Sequence, residues 1–143
     1  MRPGEVFLSH SHVDRAFARR FCAALATHGV RCWYAPYRIV GSQRWHDEIG
    51  RALTRCDWFV LLLSPAAVAS RWVKRELLFA LSEDRFEDRI VPVLVKNCRP
   101  KRLSWTLDQI QRVDFRKGFG EGVPNLLEVW STRPGMRGNR PRK

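Results

Sequence analysis

A tryptophan and a glutamate stand four positions apart in the segment Ser70-Arg-Trp-Val-Lys-Arg-Glu-Leu77. On a helix that spacing places the Trp72 indole and the Glu76 carboxylate one turn apart on one face. Apolar Val73, Leu77 and Ala80 run beside the carboxylate, and acids are rare in such surroundings unless paired or used. The plain alternative is a surface ion pair with Lys74 or Arg75. Further polar side chains follow short apolar runs: Ser9 and His10 after Glu5-Val-Phe-Leu, Tyr34 after Val30-Arg-Cys-Trp, and Ser64 after Trp58-Phe-Val-Leu-Leu-Leu63.

Other chemistries lack their residues. Cys22, Cys32, Cys56 and Cys98 show none of the paired spacing of a zinc site. They suit small buried hydrophobes in a reducing compartment. His10-Ser11-His12 has no further His or Cys nearby, so no metal site is expected. A phosphate-cradling loop needs glycines before a helix, and none follow the first apolar run. No Gly-x-Ser-x-Gly elbow occurs for a Ser–His–acid triad. A phospho-accepting receiver needs an Asp where Ser64 stands and acids where Ser9-His10 stand.

The elements that would position these residues alternate in type. Strands are expected at Glu5–Ser9, Val30–Tyr34, Asp57–Leu63, Ile90–Val95 and Ile110–Phe115. Val13, Phe17, Phe21 and Leu25 recur every four residues, giving a helix from Val13 to His28 that Gly29 ends. Trp45, Ile49 and Leu53 give a second helix over Gln43–Thr54, Ser70 caps a third, and Val123–Trp130 is a last short one. Residues 96–108 read as loop with at most one weak helix. The unbroken apolar run ending at Leu63 fits a strand buried on both faces, and Pro92 sets the fourth strand near a sheet edge. Strands separated by helices predict an α/β fold: a flavodoxin-like, doubly wound, five-stranded parallel sheet of order 2-1-3-4-5 with helices on both faces. Ligands of such sheets bind at the carboxyl ends of strands where the order reverses, between strands one and three. Ser9, His10, Tyr34 and Ser64 all fall there.

Composition narrows the class. The 143 residues are 45% hydrophobic and 11% aromatic, enough for one packed domain and incompatible with a fibrous or disordered chain. The net charge of +12 divides unevenly. Segment 131–143 holds Arg133, Arg137, Arg140, Arg142 and Lys143 with no acid, and reads as a basic, disordered tail behind a single domain over 1–130. The other charges are scattered singly, so no specific nucleic-acid partner is expected. The longest apolar run is too short to span a bilayer. Met1-Arg2-Pro3-Gly4 opens no signal-peptide apolar region, so a cytoplasmic location is expected.

Four segments in register carry a resemblance: Phe7-Leu-Ser-His10, Tyr34-Ala-Pro-Tyr-Arg-Ile-Val-Gly41, Val60-Leu-Leu-Leu-Ser-Pro65 and Ser70–Leu77. Over Glu5–Phe119 the chain resembles Toll/interleukin-1 receptor (TIR) domains, and its short, simple elements are more similar to bacterial members. The resemblance implies self-assembly through TIR–TIR contacts and cleavage of the nicotinamide–ribose bond of NAD, which is then substrate rather than cofactor. It makes Glu76 of the Trp-x-x-x-Glu pattern catalytic. By resemblance, Phe7, Ser9 and His10 line the floor, Tyr34, Trp72 and more weakly Trp45 offer aromatic faces, Ser64 adjoins them, and Arg38 or Arg44 meets the phosphates. The Arg38–Gly41 loop gates the site in the family, and its Pro36 and Gly41 predict that it is mobile in the monomer. An acid common in relatives near the end of the second strand is replaced by Ala35-Pro36. The expected function is an NAD glycohydrolase, with hydrolysis and cyclisation both open. Assembly, with a separate sensor or activating protein, would switch it on in bacterial antiviral or cell-suicide defence. The alternative is a non-catalytic TIR adaptor or scaffold.

Overall fold

The computed structural model describes the backbone of residues 2–34 and 43–139, and the side chains of these except 43–46 and 133–139. Five strands, β1 (Glu5–Ser9), β2 (Arg31–Trp33), β3 (Trp58–Leu63), β4 (Ile90–Leu94) and β5 (Val113–Asp114), form one sheet of order β2-β1-β3-β4-β5. Every pairing is parallel. Helices α1 (Arg15–Ala26), α2 (Gln43–Arg55), α3 (Pro65–Val68), α4 (Arg71–Leu81) and α5 (Phe119–Asn139) cover it. The α/β sheet and its order are those the strand–helix alternation predicts.

Strand alternation divides the core into two layers. Phe7 faces the side covered by α2, α3 and α4, together with Phe59, Leu61, Leu77 and Ala80. Val6 and Leu8 face the other side, with Phe21 and Leu25 of α1 and Leu126 and Trp130 of α5. All six residues of β3 are buried, as its apolar run requires. Ser9 shares Phe7's parity and so turns toward the α4 layer.

Local chemistry sets the boundaries. Gly29 at φ 80° ends the α1 turn, with His28 and Gly29 donating to the Leu25 and Ala26 carbonyls. The Ser70 hydroxyl accepts from Val73 N at 3.1 Å and caps α4. In β4, Val95 N bonds the Leu63 carbonyl, so Val93 and Val91 turn the same way. Pro92 therefore turns its donor-less nitrogen toward β5, which begins only opposite Val93.

The largest departures from the pattern reading are at β5 and the last helix. Strand β5 has two residues rather than six, because Ser104 caps a 3₁₀ turn over Trp105–Gln109 and Ile110 N still bonds back to Leu107. A second 3₁₀ turn covers Pro100–Arg102. The last helix neither starts at Val123 nor stops at Trp130. It runs Phe119–Asn139, and the remainder of the segment expected as a tail lies outside the described residues. The Ser131 and Thr132 hydroxyls donate back to the Glu128 carbonyl and carry the turn onward. No helix among the described residues is long and apolar enough to cross a membrane.

Gly122 marks the tightest approach of α5. A Cβ there would lie 2.5 Å from the Phe115 ring. In an open helix Gly→Ala gains up to about 1 kcal/mol. Here the clash reverses the sign, and Gly122→Ala should lose about 1–3 kcal/mol in denaturant unfolding.

Candidate active site

Among the described residues the buried polar side chains are Ser9, Ser11, Asp14, Ser64 and Glu76. They sit at the carboxyl ends of β1 and β3 or on the helices that follow. The strand order reverses between those two strands, and such sheets place their ligands there. A core this apolar tolerates polar groups only where they are bonded or used.

Glu76 belongs to the buried stripe of α4, with Val73, Leu77 and Ala80. That stripe follows helical periodicity, and the carboxylate takes a position where a Leu would ordinarily sit. It is 3% exposed. Ser9 Oγ donates to Glu76 Oε1 at 2.7 Å. Oε2 is buried and, among the described residues, accepts no hydrogen bond of ordinary geometry. Burial pushes the Glu76 carboxyl up to about 8, against the bond from Ser9 and a weaker one from Trp72, which favour the charged form. Trp72 is half-buried against the α4 layer of the core, one turn back on the same helix.

On the β1 side, His10 meets Tyr34 edge-on with ring centroids 5.1 Å apart. Burial lowers the His10 imidazole to about 4, partly opposed by the Asp14 charge, so the ring is neutral at physiological pH. Its Nδ1 is also buried without a partner. Tyr34 keeps an exposed face. Asp14, at the entrance of α1, accepts from Ser64 Oγ, while Ser64 also accepts from Ala67 N at 3.1 Å and caps α3. These bonds tie the segment after β1 to the turn after β3.

The structure thus brings Ser9, His10, Tyr34, Trp72 and Glu76 together. Phe7 is wholly buried beneath them, stacked on Phe59 at 5.2 Å and tilted against Trp33 at 5.1 Å, so it packs the core. The Ser64 hydroxyl both donates and accepts within the fold, which makes it a clamp. Arg38, Gly41 and their loop lie outside the described residues, as do the side chains of Arg44 and Trp45. Sequence reasoning missed Asp14 and Ser11. The signal for Ser11 was its place two residues before Val13, whose N–H it caps. No local pattern pairs Asp14 with Ser64. A cavity of about 520 Å³ lies at the other end of α4, lined by residues such as Ala80, Phe86, Ile90 and Ile110, and contains none of the site residues.

The elevated Glu76 carboxyl makes stability depend on pH. In the unfolded chain the group titrates near 4.5, in the fold near 8. Its contribution is therefore complete below pH 4.5 and is lost as pH rises through 8. At about 1.4 kcal/mol per pH unit this window caps the loss at about 5 kcal/mol. Glu76→Gln removes the titration. Its stability relative to wild type should climb by a few kcal/mol between pH 5 and pH 8.5, read from unfolding curves at both values.

The family profile of the TIR domain matches residues 6–127. Among solved structures, the TIR domain of the Toll-related receptor TRR-2 from Hydra magnipapillata superposes with a TM-score of 0.64 at 16% identity, covering 95% of this chain and 98% of that one. A TIR-STING receptor from C. gigas, solved in complex with 2',3'-cGAMP, gives a TM-score of 0.62 at 25% identity over 77% of this chain. The match takes in only 34% of that receptor's length. No curated protein matches the sequence. A profile spanning most of the chain, on the sheet order and crevice described above, settles the family: the chain belongs to the TIR domain family.

Proposed function

We propose that this TIR domain cleaves the nicotinamide–ribose bond of NAD, with Glu76 as the catalytic carboxylate. The observation that carries the reading is the buried Glu76, held through one oxygen by Ser9 and, among the described residues, without a well-formed hydrogen bond at the other. The family includes NAD-cleaving members, and the Trp72/Glu76 pair stands where their pattern places it.

One carboxylate suffices for this reaction. Glycosidases need a second to protonate a poor leaving group. In NAD the nicotinamide nitrogen already carries positive charge. When its bond to C1′ breaks, the electron pair stays on nitrogen and nicotinamide leaves neutral. Positive charge then develops on the ribose, and an anionic Glu76 stabilises it. Water adds to C1′ and loses a proton, giving ADP-ribose and one H⁺; attack by a ring nitrogen of the adenine gives a cyclic product instead. Trp72 and Tyr34 offer aromatic faces to the pyridinium, each contact worth about 0.5–2 kcal/mol. The neutral His10 adds no competing positive charge. Because the free carboxyl titrates near 8, kcat/KM should rise with pH through that region, where the ionised fraction grows.

TIR domains act through TIR–TIR contacts, and we propose that assembly activates this one, in a defence role with a separate sensor or activating protein. A scaffold without catalysis is the second reading. The observation on its side is the outer face of α4, where Leu78 and Phe79 are about half exposed. Nicotinamide release measured across a protein dilution series separates the two. The enzyme gives a rate per molecule that climbs with concentration, whereas assembly detected by light scattering with no nicotinamide at any concentration supports the scaffold.

A further inference from the structure

We infer that Ser9 is a positioning residue for the Glu76 carboxylate: its hydroxyl holds Oε1 in place and leaves Oε2 as the acceptor for a ribose hydroxyl of a substrate that enters the crevice. The inference rests on the NAD-cleaving reading and assigns Ser9 a role other than touching the substrate.

Three observations carry it. Ser9 is fully buried and its hydroxyl lies 2.7 Å from Oε1, so the donor is engaged within the fold. Ser9 ends β1 and Glu76 lies 67 residues later on α4, so the bond joins the strand that ends at the crevice to the helix that bears the acid. Third, Oε2 accepts no hydrogen bond of ordinary geometry from the described residues, Trp72 offering the carboxylate only a weaker contact. A carboxylate kept only for structure would have both oxygens bonded, since a buried acceptor without a donor is costly. A hydroxyl-bearing ligand supplies that missing donor, and a ribose carries two.

The hydrogen bond also acts on ionisation, because a donor to a carboxylate favours its charged form. Among the described residues, few charges compete at this position. Across from Glu76, β1 presents Ser9 and a neutral His10. Asp14 lies beyond, accepting from Ser64. On α4, Lys74 and Arg75 face solvent and Trp72 is uncharged. On α2, Asp47 is exposed and Glu48 pairs with Arg51 at 3.5 Å. Among the described residues, burial, Ser9 and Trp72 act on the Glu76 carboxyl, and none of them is an ionic partner.

The test is the titration of Glu76 followed by carbon NMR on the full chain with ¹³C-labelled glutamate carboxyls, the Glu76 signal being the one absent from Glu76→Gln. Ser9→Ala should move the midpoint upward by about one to two pH units. At pH 7 it should lower kcat for NAD about tenfold or more, with KM within twofold and partial recovery at alkaline pH. Ser9→Cys keeps the volume with a weaker donor, and should shift the same way by less, which serves if Ser9→Ala does not fold. A midpoint unmoved in both variants overturns the inference. If wild type leaves NAD intact while the midpoint still moves with Ser9, the NAD reading falls and the coupling of Ser9 to Glu76 stands.

Discussion

Glu76→Gln should cut nicotinamide release from NAD by about 10²–10³-fold, the cost typical of removing one preorganised group that stabilises transition-state charge. The substitution keeps the shape and leaves Oε1 in place to accept from Ser9, so the crevice survives. What disappears is the negative charge beside the developing ribosyl cation. Since the cation exists only near the transition state, the loss should fall on kcat and kcat/KM alike. Stability should move the other way at alkaline pH, because the amide has no proton to lose. A variant slower in catalysis yet steadier at pH 8.5 is the pattern of an acid kept in an apolar core for its chemistry.

The second large effect concerns Phe7, which the family resemblance places at the site floor and the fold places in the core. Phe7→Ala should cost about 3–5 kcal/mol, the usual range for emptying a buried aromatic position. The ring is wholly buried between Phe59 and Trp33, so its removal leaves a cavity beneath β1 that the sheet cannot easily close. Equilibrium unfolding in urea reads the loss directly. Phe7→Leu, which refills most of the volume, should recover much of the stability and leave KM for NAD near wild type. A floor residue would instead show a raised KM with little change in unfolding.

These two positions show what the sequence reveals. Glu76 and Trp72 were legible because helical spacing is local: four residues on α4 put both on one face wherever the helix packs. The sheet order was legible because β3 is apolar throughout and strands alternate with helices. Phe7 shows a limit of local pattern, since period-two alternation with Ser9 gives a face but not a depth. Whether that face meets ligand or core depends on Phe59, 52 positions further along. Asp14 shows a different limit. Its partner Ser64 lies 50 residues away, and no spacing rule links an acid at one helix entrance to a cap at another. The short β5 and the long α5 failed for local reasons: Ser104 capping moved Trp105–Gln109 into a 3₁₀ turn, and hydroxyl bonds to Glu128 carried the last helix past Trp130.

Glu76 is proposed as the carboxylate of an NAD-cleaving site. The most direct test follows concentrated wild type and Glu76→Gln side by side with NAD, counting nicotinamide by proton NMR. Wild type should release nicotinamide steadily and the variant at least a hundredfold less. Equal release by the two proteins, or none by wild type at any concentration that assembles, would contradict it.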